Sequence, residues 1–237
     1  MPMSSHPAQH PHLRHPRASE TTLYLVRHGR TDSNVRGILH GSTDVPLDAQ
    51  GLRQARCVAE RIAADVTVDA LLSSPLARAL TTARMIGARI GIEPIAVPEL
   101  VEMDFGALEG LTVDRIEAEH PEIARRMRDF TDDDLAWPGG ESRRGFHLRV
   151  LAAFEAILAD HASRTVVVVA HGGVIGSYLA QIHGISPNDW EAYPLGNCSL
   201  THLHVTADHT MVHRINDQTH LDLLYELDRP EAAPWQH

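Results

Sequence analysis

The chain has 237 residues, 43% of them hydrophobic and 22% charged, with a formal net charge of −10. That is enough chain for one large α/β domain with a full core, and the acidic balance argues against a general binder of nucleic acid or of anionic membranes. No apolar run approaches the ~20 residues of a membrane helix, and two cysteines, Cys57 and Cys198, make no disulfide framework, so a reducing, cytoplasmic setting is expected.

Residues 1–20 carry Pro2, Pro7, Pro11 and Pro16 among His6, His10, His12 and His15. The prolines break any helix and apolar residues are few, so the stretch reads as a disordered His/Pro-rich tail, not as a signal peptide or a metal-binding arm. Asp228–His237, with Pro230 and Pro234, reads as a second loose end, which leaves residues 21–227 as one domain.

Between the tails, strand and helix signals alternate. Thr22–Val26 reads as a buried strand that runs straight into Arg27-His28-Gly29, with Thr31 and Asn34 just beyond. Ala49–Asp65 has helical periodicity through Leu52, Ala55, Val58, Ala59 and Ile62. Asp69–Leu72 is a short strand, after which Pro75 opens a helix to about Ile90, with Leu76, Leu80, Ala83 and Ile86 or Gly87 on one face and Gly91 as its stop. Ile95–Val97 is a further strand, and Thr112–Glu119 and Glu122–Arg128 are short helices separated by Pro121. Glu141–His161 is a long helix with Phe146, Val150, Ala153, Phe154 and Ile157 toward the core. The valines of Thr165–Ala170 fit a strand buried on both faces; it runs into His171-Gly172-Gly173 and a helix from about Val174 to His183. Ser199–Val205 and Thr210–Ile215 form a closing hairpin. This order predicts a three-layer α/β/α sandwich with a mostly parallel central sheet.

Two strands that each end in His-Gly place His28 and His171 on one rim, at the carboxyl ends where open α/β sheets bind ligands. Singly, each histidine reads equally well as structural. Arg78 falls in the first turn of a helix, where a cation opposes the macrodipole and a bound anion would offset the cost. The segment Leu100–Gly110 holds carboxylates fit for general acid work, but periodicity does not choose between Glu99, Glu102, Asp104 and Glu109.

In combination these segments resemble the histidine phosphatase superfamily, the phosphoglycerate mutase-like fold. The resemblance runs from about Thr22 to Thr219, with Arg27-His28-Gly29, Thr31 and Asn34, then Ser73-Ser74-Pro75 and Arg78, then Glu102, Phe105-Gly106 and Glu109-Gly110, then His171-Gly172-Gly173, all in family order. It implies that His28 is the nucleophile that takes the phosphoryl group and that Arg27, Arg78 and His171 bind its oxygens, with Asn34, Thr31 and Gly172 close by. It implies that Glu102 protonates the departing oxygen and later helps activate water. His28 has to be neutral to attack, whereas His171 is more useful protonated, so the two imidazoles are expected to differ in pKa. Cations and N–H donors around the phosphoryl oxygens can carry this chemistry, so no metal and no other cofactor is expected.

Within that family the turn Trp137-Pro138-Gly139-Gly140-Glu141-Ser142 and the run His171-Gly172-Gly173-Val174-Ile175 resemble the phosphatase branch. Arg125-Arg126 resembles the paired arginines with which mutases hold a substrate carboxylate, although a solvated helical face explains them too. Arg36, Gly41, Ser42 and Asp44 fall in a loop similar to one that flanks the family's substrate. A zinc site from His202, His204, His209, His213 and His220 competes with a plain polar hairpin face, which is preferred. The expectation is a metal-independent phosphomonoesterase acting on a small phosphorylated metabolite, with a phosphoglycerate-type mutase as the alternative and a non-catalytic phosphate-binding module third. No nucleic-acid or membrane partner is expected, and a homodimer is left open.

Overall fold

The computed structural model describes residues 20–189, 192–222 and 224, so both expected tails lie outside the described residues apart from Glu20. Six strands form one sheet: Thr21–Arg27 (β1), Ala70–Ser73 (β2), Ile95–Ala96 (β3), Thr165–Ala170 (β4), Leu200–Val205 (β5) and Thr210–Asp217 (β6). Their spatial order is β3-β2-β4-β1-β5-β6, with the first four parallel and the final hairpin antiparallel to β1. The helices are Asp32–Val35 (α1), Ala49–Asp65 (α2), Ala77–Ile90 (α3), Val113–Glu119 (α4), Pro121–Met127 (α5), Arg143–Asp160 (α6) and Gly172–His183 (α7).

The strand alternation decides which layer each residue feeds. Leu23, Leu25, Val166 and Val168 pack on one face with α6, α7 and the α4–α5 segment. Val26, Leu71, Val167 and Val169 pack on the other with α2 and α3. β4 is sandwiched on both faces, which explains its unbroken valines. The expected three-layer architecture is therefore present, and among the described residues no helix is long and apolar enough to cross a membrane.

Several boundaries shift for local reasons. Asp48 caps α2 by accepting from the Gly51 N–H at 2.6 Å, and Ser142 caps α6 by accepting from Gly145 at 3.1 Å. Pro75 does not open α3: Leu76 is its cap residue, so Pro75 lies outside and Arg78 is the second helical residue. The buried face of α3 is Ala79, Thr82, Ala83 and Ile86 together with Arg78, while the expected Leu76 and Leu80 are only half-buried. Leu52 of α2 is likewise 42% exposed, displaced from the core by Gly51 and Gln54. The backbones of the loop after β1 and of α2 touch here: a Cβ on Gly29 would lie 2.6 Å from the Gly51 carbonyl oxygen, and one on Gly51 2.1 Å from that of Arg30. Pro121 starts α5 rather than merely separating two helices, and α7 begins at Gly172, not Val174.

The register of β1 with β4 pairs Arg27 with Ala170. His28 and His171 therefore leave the sheet side by side, with the His28 N–H donating to the Ala170 carbonyl at 3.0 Å. The packing separates Leu71, fully buried, from Leu52, which faces outward. Leu71→Ala is expected to cost about 2–5 kcal/mol in urea unfolding, and Leu52→Ala less than about 0.5 kcal/mol.

Candidate active site

The carboxyl rim of β1, β2 and β4 opens into a cavity of about 300 Å³ lined by Arg27, His28, Arg78, Glu102, Gly172 and Gly173 among others. His28 is 4% exposed. Its Nδ1 lies 2.7 Å from the Gly29 carbonyl oxygen, which can only accept, so Nδ1 carries the proton and Nε2 keeps its lone pair. Burial, then the charges of Arg27 and Arg78, push its pKa well below the ordinary histidine value. His28 is thus a neutral imidazole with one nucleophilic nitrogen, held next to two cations.

His171 sits at the N-cap of α7, is fully buried, and faces His28 edge-on with ring centroids 5.2 Å apart. Arg78 Nε donates to its Nδ1 at 3.2 Å, and its Nε2 donates to Ser74 Oγ at 2.8 Å. Both ring nitrogens are thereby committed to the neutral tautomer, and burial followed by Arg78 holds the pKa well below normal. This corrects the expectation that the two imidazoles diverge. Both are driven the same way, because both are buried beside guanidinium groups. The positive charge belongs to the arginines, and His171 orients Arg78 by accepting from its Nε.

Arg78 is 2% exposed, and its remaining N–H groups donate to the carbonyls of Gly41 at 2.7 Å and Thr43 at 3.0 Å. Arg27 donates Nη1 to the Leu195 carbonyl, while its Nε is buried with no hydrogen-bond partner. Among the described residues neither guanidinium pairs with a carboxylate at salt-bridge distance. A buried Arg78 and a half-buried Arg27, neither paired with a carboxylate among the described residues, beside a helix N-terminus make a place suited to an anion.

Glu102 resolves the choice among four carboxylates. It lies against the first turn of α7, where Oε2 accepts from the Gly173 N–H at 2.9 Å and Oε1 from its neighbour Met103 at 2.9 Å. A Cβ on Gly173 would come within 2.4 Å of Oε1, so that glycine is there for Glu102. Burial raises the Glu102 pKa, against the opposing pull of those N–H groups and of Arg78 and Arg27. Glu109 serves the loop instead, accepting from the backbones of Ser42, Thr43 and Phe105. Partial burial pushes its pKa up, but the bonds from Thr43, Ser42 and Phe105 together bring it below the ordinary value. Asp104 and Glu141 tie the turn at Gly139-Gly140 to the Glu102 segment, with Glu141 bound by Arg149.

Thr31 and Asn34 form a reciprocal capping box on α1, and both line the cavity. Gly41 and Ser42 do not line it. Gly41 presents its carbonyl to Arg78, and the Ser42 N–H and hydroxyl bind Glu109. They build the wall that holds Arg78. Asp44 accepts from the Ala77 N–H at the start of α3, and Arg36 is exposed and outside the lining.

Sequence reasoning missed the segment before β5. Asn197 Nδ2 donates to both the His28 carbonyl and Asn34 Oδ1 at 3.1 Å, joining the two motifs, and the Cys198 N–H donates to the Arg27 carbonyl at 2.9 Å. Tyr193, Pro194 and Leu195 border the cavity. Nothing in their local pattern marks them; the antiparallel pairing of β5 with β1 brings them there.

Arg125, Arg126 and Arg128 pair with Glu122, Asp132 and Glu117 and stand outside the cavity lining, so they form a solvated face. His202 is stacked between Tyr24 and His213, with centroids 4.4 and 4.6 Å away. Among the described residues no group of three or more His, Cys, Asp or Glu is placed to hold a metal.

Comparison with known proteins places this geometry. The family profile described as "Histidine phosphatase superfamily (branch 1)" matches residues 23–218. The chain is 34% identical over 214 residues to "Probable phosphoglycerate mutase GpmB" of Enterobacter sp. (strain 638), covering 87% of this chain and 99% of that one. Among solved structures it resembles the α-ribazole phosphatase of Shigella flexneri, with a TM-score of 0.73 and 28% identity over 83% of this chain and 96% of that one. It also resembles a mycobacterial glucosyl-3-phosphoglycerate phosphatase, with a TM-score of 0.71 and 31% identity over 84% of this chain and 100% of that one.

The Gly173–Glu102 contact yields a direct test. Gly173→Ala should displace the carboxylate and lower kcat by about 10²-fold or more, while thermal unfolding and inhibition by inorganic phosphate, which report fold and the arginine site, change little.

Proposed function

The chain belongs to the histidine phosphatase superfamily, and from that membership and the cavity's geometry we propose that it hydrolyses a small phosphomonoester through a phosphohistidine on His28. The observation that carries this reading is the His28 tautomer: Nδ1 held by the Gly29 carbonyl leaves Nε2 free, beside two guanidinium groups that lack a carboxylate partner.

In the first step Nε2 attacks phosphorus, the P–O bond to the alcohol breaks, and the Glu102 proton goes to the departing oxygen. The phosphorylated ring becomes cationic, and the Gly29 carbonyl accepting from Nδ1–H stabilises it. Arg27 and Arg78 meet the charge on the phosphoryl oxygens; such positioning and charge stabilisation is most of what phosphoryl transfer asks of a protein. In the second step the Glu102 carboxylate takes a proton from water as its oxygen attacks phosphorus. The N–P electron pair returns to Nε2, phosphate leaves, and the starting protonation states are restored.

A mutase uses the same first step but passes the phosphoryl group to a second hydroxyl. The mutase name of the relative favours this second reading. The placement of Arg125 and Arg126 on the solvated face favours hydrolysis, since they are not where a substrate carboxylate could reach them. The unbonded thiols Cys57 and Cys198 support a cytoplasmic setting.

The pKa directions set the pH profile. His28 must be neutral and its pKa is depressed, so activity is lost only as the pH falls well below the usual histidine range. Glu102 must be protonated and its pKa is raised, so activity is lost as the pH climbs past that raised value. The profile of kcat/KM is expected to be an acid-shifted bell; a steady rise above about pH 9 contradicts the Glu102 role. Glu102→Gln should slow hydrolysis of alkyl phosphates by about 10²–10⁴-fold and that of 4-nitrophenyl phosphate far less, because nitrophenolate leaves without a proton. Phosphate release should persist in excess EDTA and vanish in His28→Ala; loss of release in EDTA overturns the metal-free mechanism.

A further inference from the structure

The cavity continues past the phosphate end into a wall of a different character. Ile38, Leu39, Val45, Phe105, Tyr193 and Leu195 border it, with His40 at the rim. Tyr193 is fixed by a hydrogen bond between its hydroxyl and His183 Nδ1, whose ring stacks on it with centroids 5.7 Å apart. Its polar end is thereby engaged, and the ring is what remains for a ligand. Leu39 is fixed by its backbone, which pairs with Gly110 and Leu111. This wall is preformed and apolar.

Charge on that side is sparse. The chain has no lysine: all 21 of its Lys+Arg residues are arginine. Among the described residues the arginines that line the cavity are Arg27 and Arg78, both at the phosphate end, and the carboxylate that lines it is Glu102. Arg30, next to the nucleophile, pairs with Asp48 at 2.7 Å. An anionic group on the leaving alcohol would enter a half-enclosed, largely apolar space where, among the described residues, no arginine lies beyond the phosphate end and the basic side chain is the His40 imidazole. Burying an unpaired carboxylate is strongly unfavourable, whereas an apolar body gains from each contact with the wall.

We propose, as a deepening of the hydrolase reading on which it rests, that the preferred substrates are monoesters of uncharged, largely apolar alcohols, an aryl- or nucleoside-like body carrying a single phosphate. Esters of sugar acids and amino acids are discriminated against, because among the described residues the wall facing the leaving group offers no arginine.

The test compares kcat/KM of the full chain for three primary phosphate esters: benzyl phosphate, glycerol 3-phosphate and 3-phosphoglycerate. Benzyl phosphate is expected to exceed 3-phosphoglycerate by about tenfold or more, which corresponds to about 1.4 kcal/mol, with glycerol 3-phosphate between them. Tyr193→Ala should raise KM for benzyl phosphate while leaving inhibition by inorganic phosphate unchanged, and Tyr193→Phe should restore it, as only the ring is used. Val45→Arg, at a half-buried position of the wall, should shift the ratio toward 3-phosphoglycerate. Equal or better turnover of 3-phosphoglycerate by the native chain overturns this inference and leaves hydrolysis standing. Release from none of the three esters overturns the hydrolase reading itself, and this one with it.

Discussion

Two guanidinium groups, one buried and one half-buried, that have no carboxylate partner among the described residues are the constraint around which this rim is organised. A buried charge is tolerated only where its N–H groups are satisfied and its field is used. Arg78 meets the first condition through Gly41, Thr43 and His171. Arg27 meets it in part through Leu195 and keeps a buried, unbonded Nε. Much of the surrounding loop structure exists to supply those neutral acceptors. Glu109 gathers the backbone of Ser42 and Thr43, and the carbonyls of Gly41 and Thr43 are thereby presented to Arg78. Gly41 has no side chain because a Cβ would lie 1.7 Å from the Met103 carbonyl oxygen.

The same pair of cations governs the histidines. Their field, added to burial, keeps both imidazoles neutral. That leaves His28 nucleophilic and His171 a hydrogen-bonding strut between Arg78 and Ser74. Glu102 experiences burial and cations with opposite effects, and burial prevails. One environment therefore lowers the pKa of the nucleophile and raises that of the acid, a shift in opposite directions that two isolated side chains in water would not show.

Glycines mark where backbones or carboxylates meet closely. Gly29 and Gly51 let α2 abut the loop that carries His28, and Gly173 gives Glu102 its place on α7. The first is a main-chain to main-chain contact behind His28, and the second seats the Glu102 carboxylate on the backbone of α7. The outer wall is built differently, from apolar side chains and a tyrosine anchored by His183. That is where members of one superfamily, with one reaction, can diverge in substrate.

Much of this was determined by the sequence alone. The unbroken valines of β4 and the apolar run of β1, each ending in His-Gly, specify two central parallel strands, and the parallel register then obliges both histidines to one rim. The period of α6 is local physics and is legible locally, although Ser142, read from the sequence as helical, is its cap. Three things were decided only by tertiary structure. The exposure of Leu52 and the burial of Arg78 depend on which face meets the sheet, and periodicity gives a stripe but not its partner. The choice of Glu102 over Glu109 depends on which carboxylate lands on α7, a contact that spans 71 positions of sequence. The parts played by Asn197 and Tyr193 depend on an antiparallel strand returning beside β1. Each of these is a long-range contact, and no spacing along the chain encodes a distance that only chain closure creates.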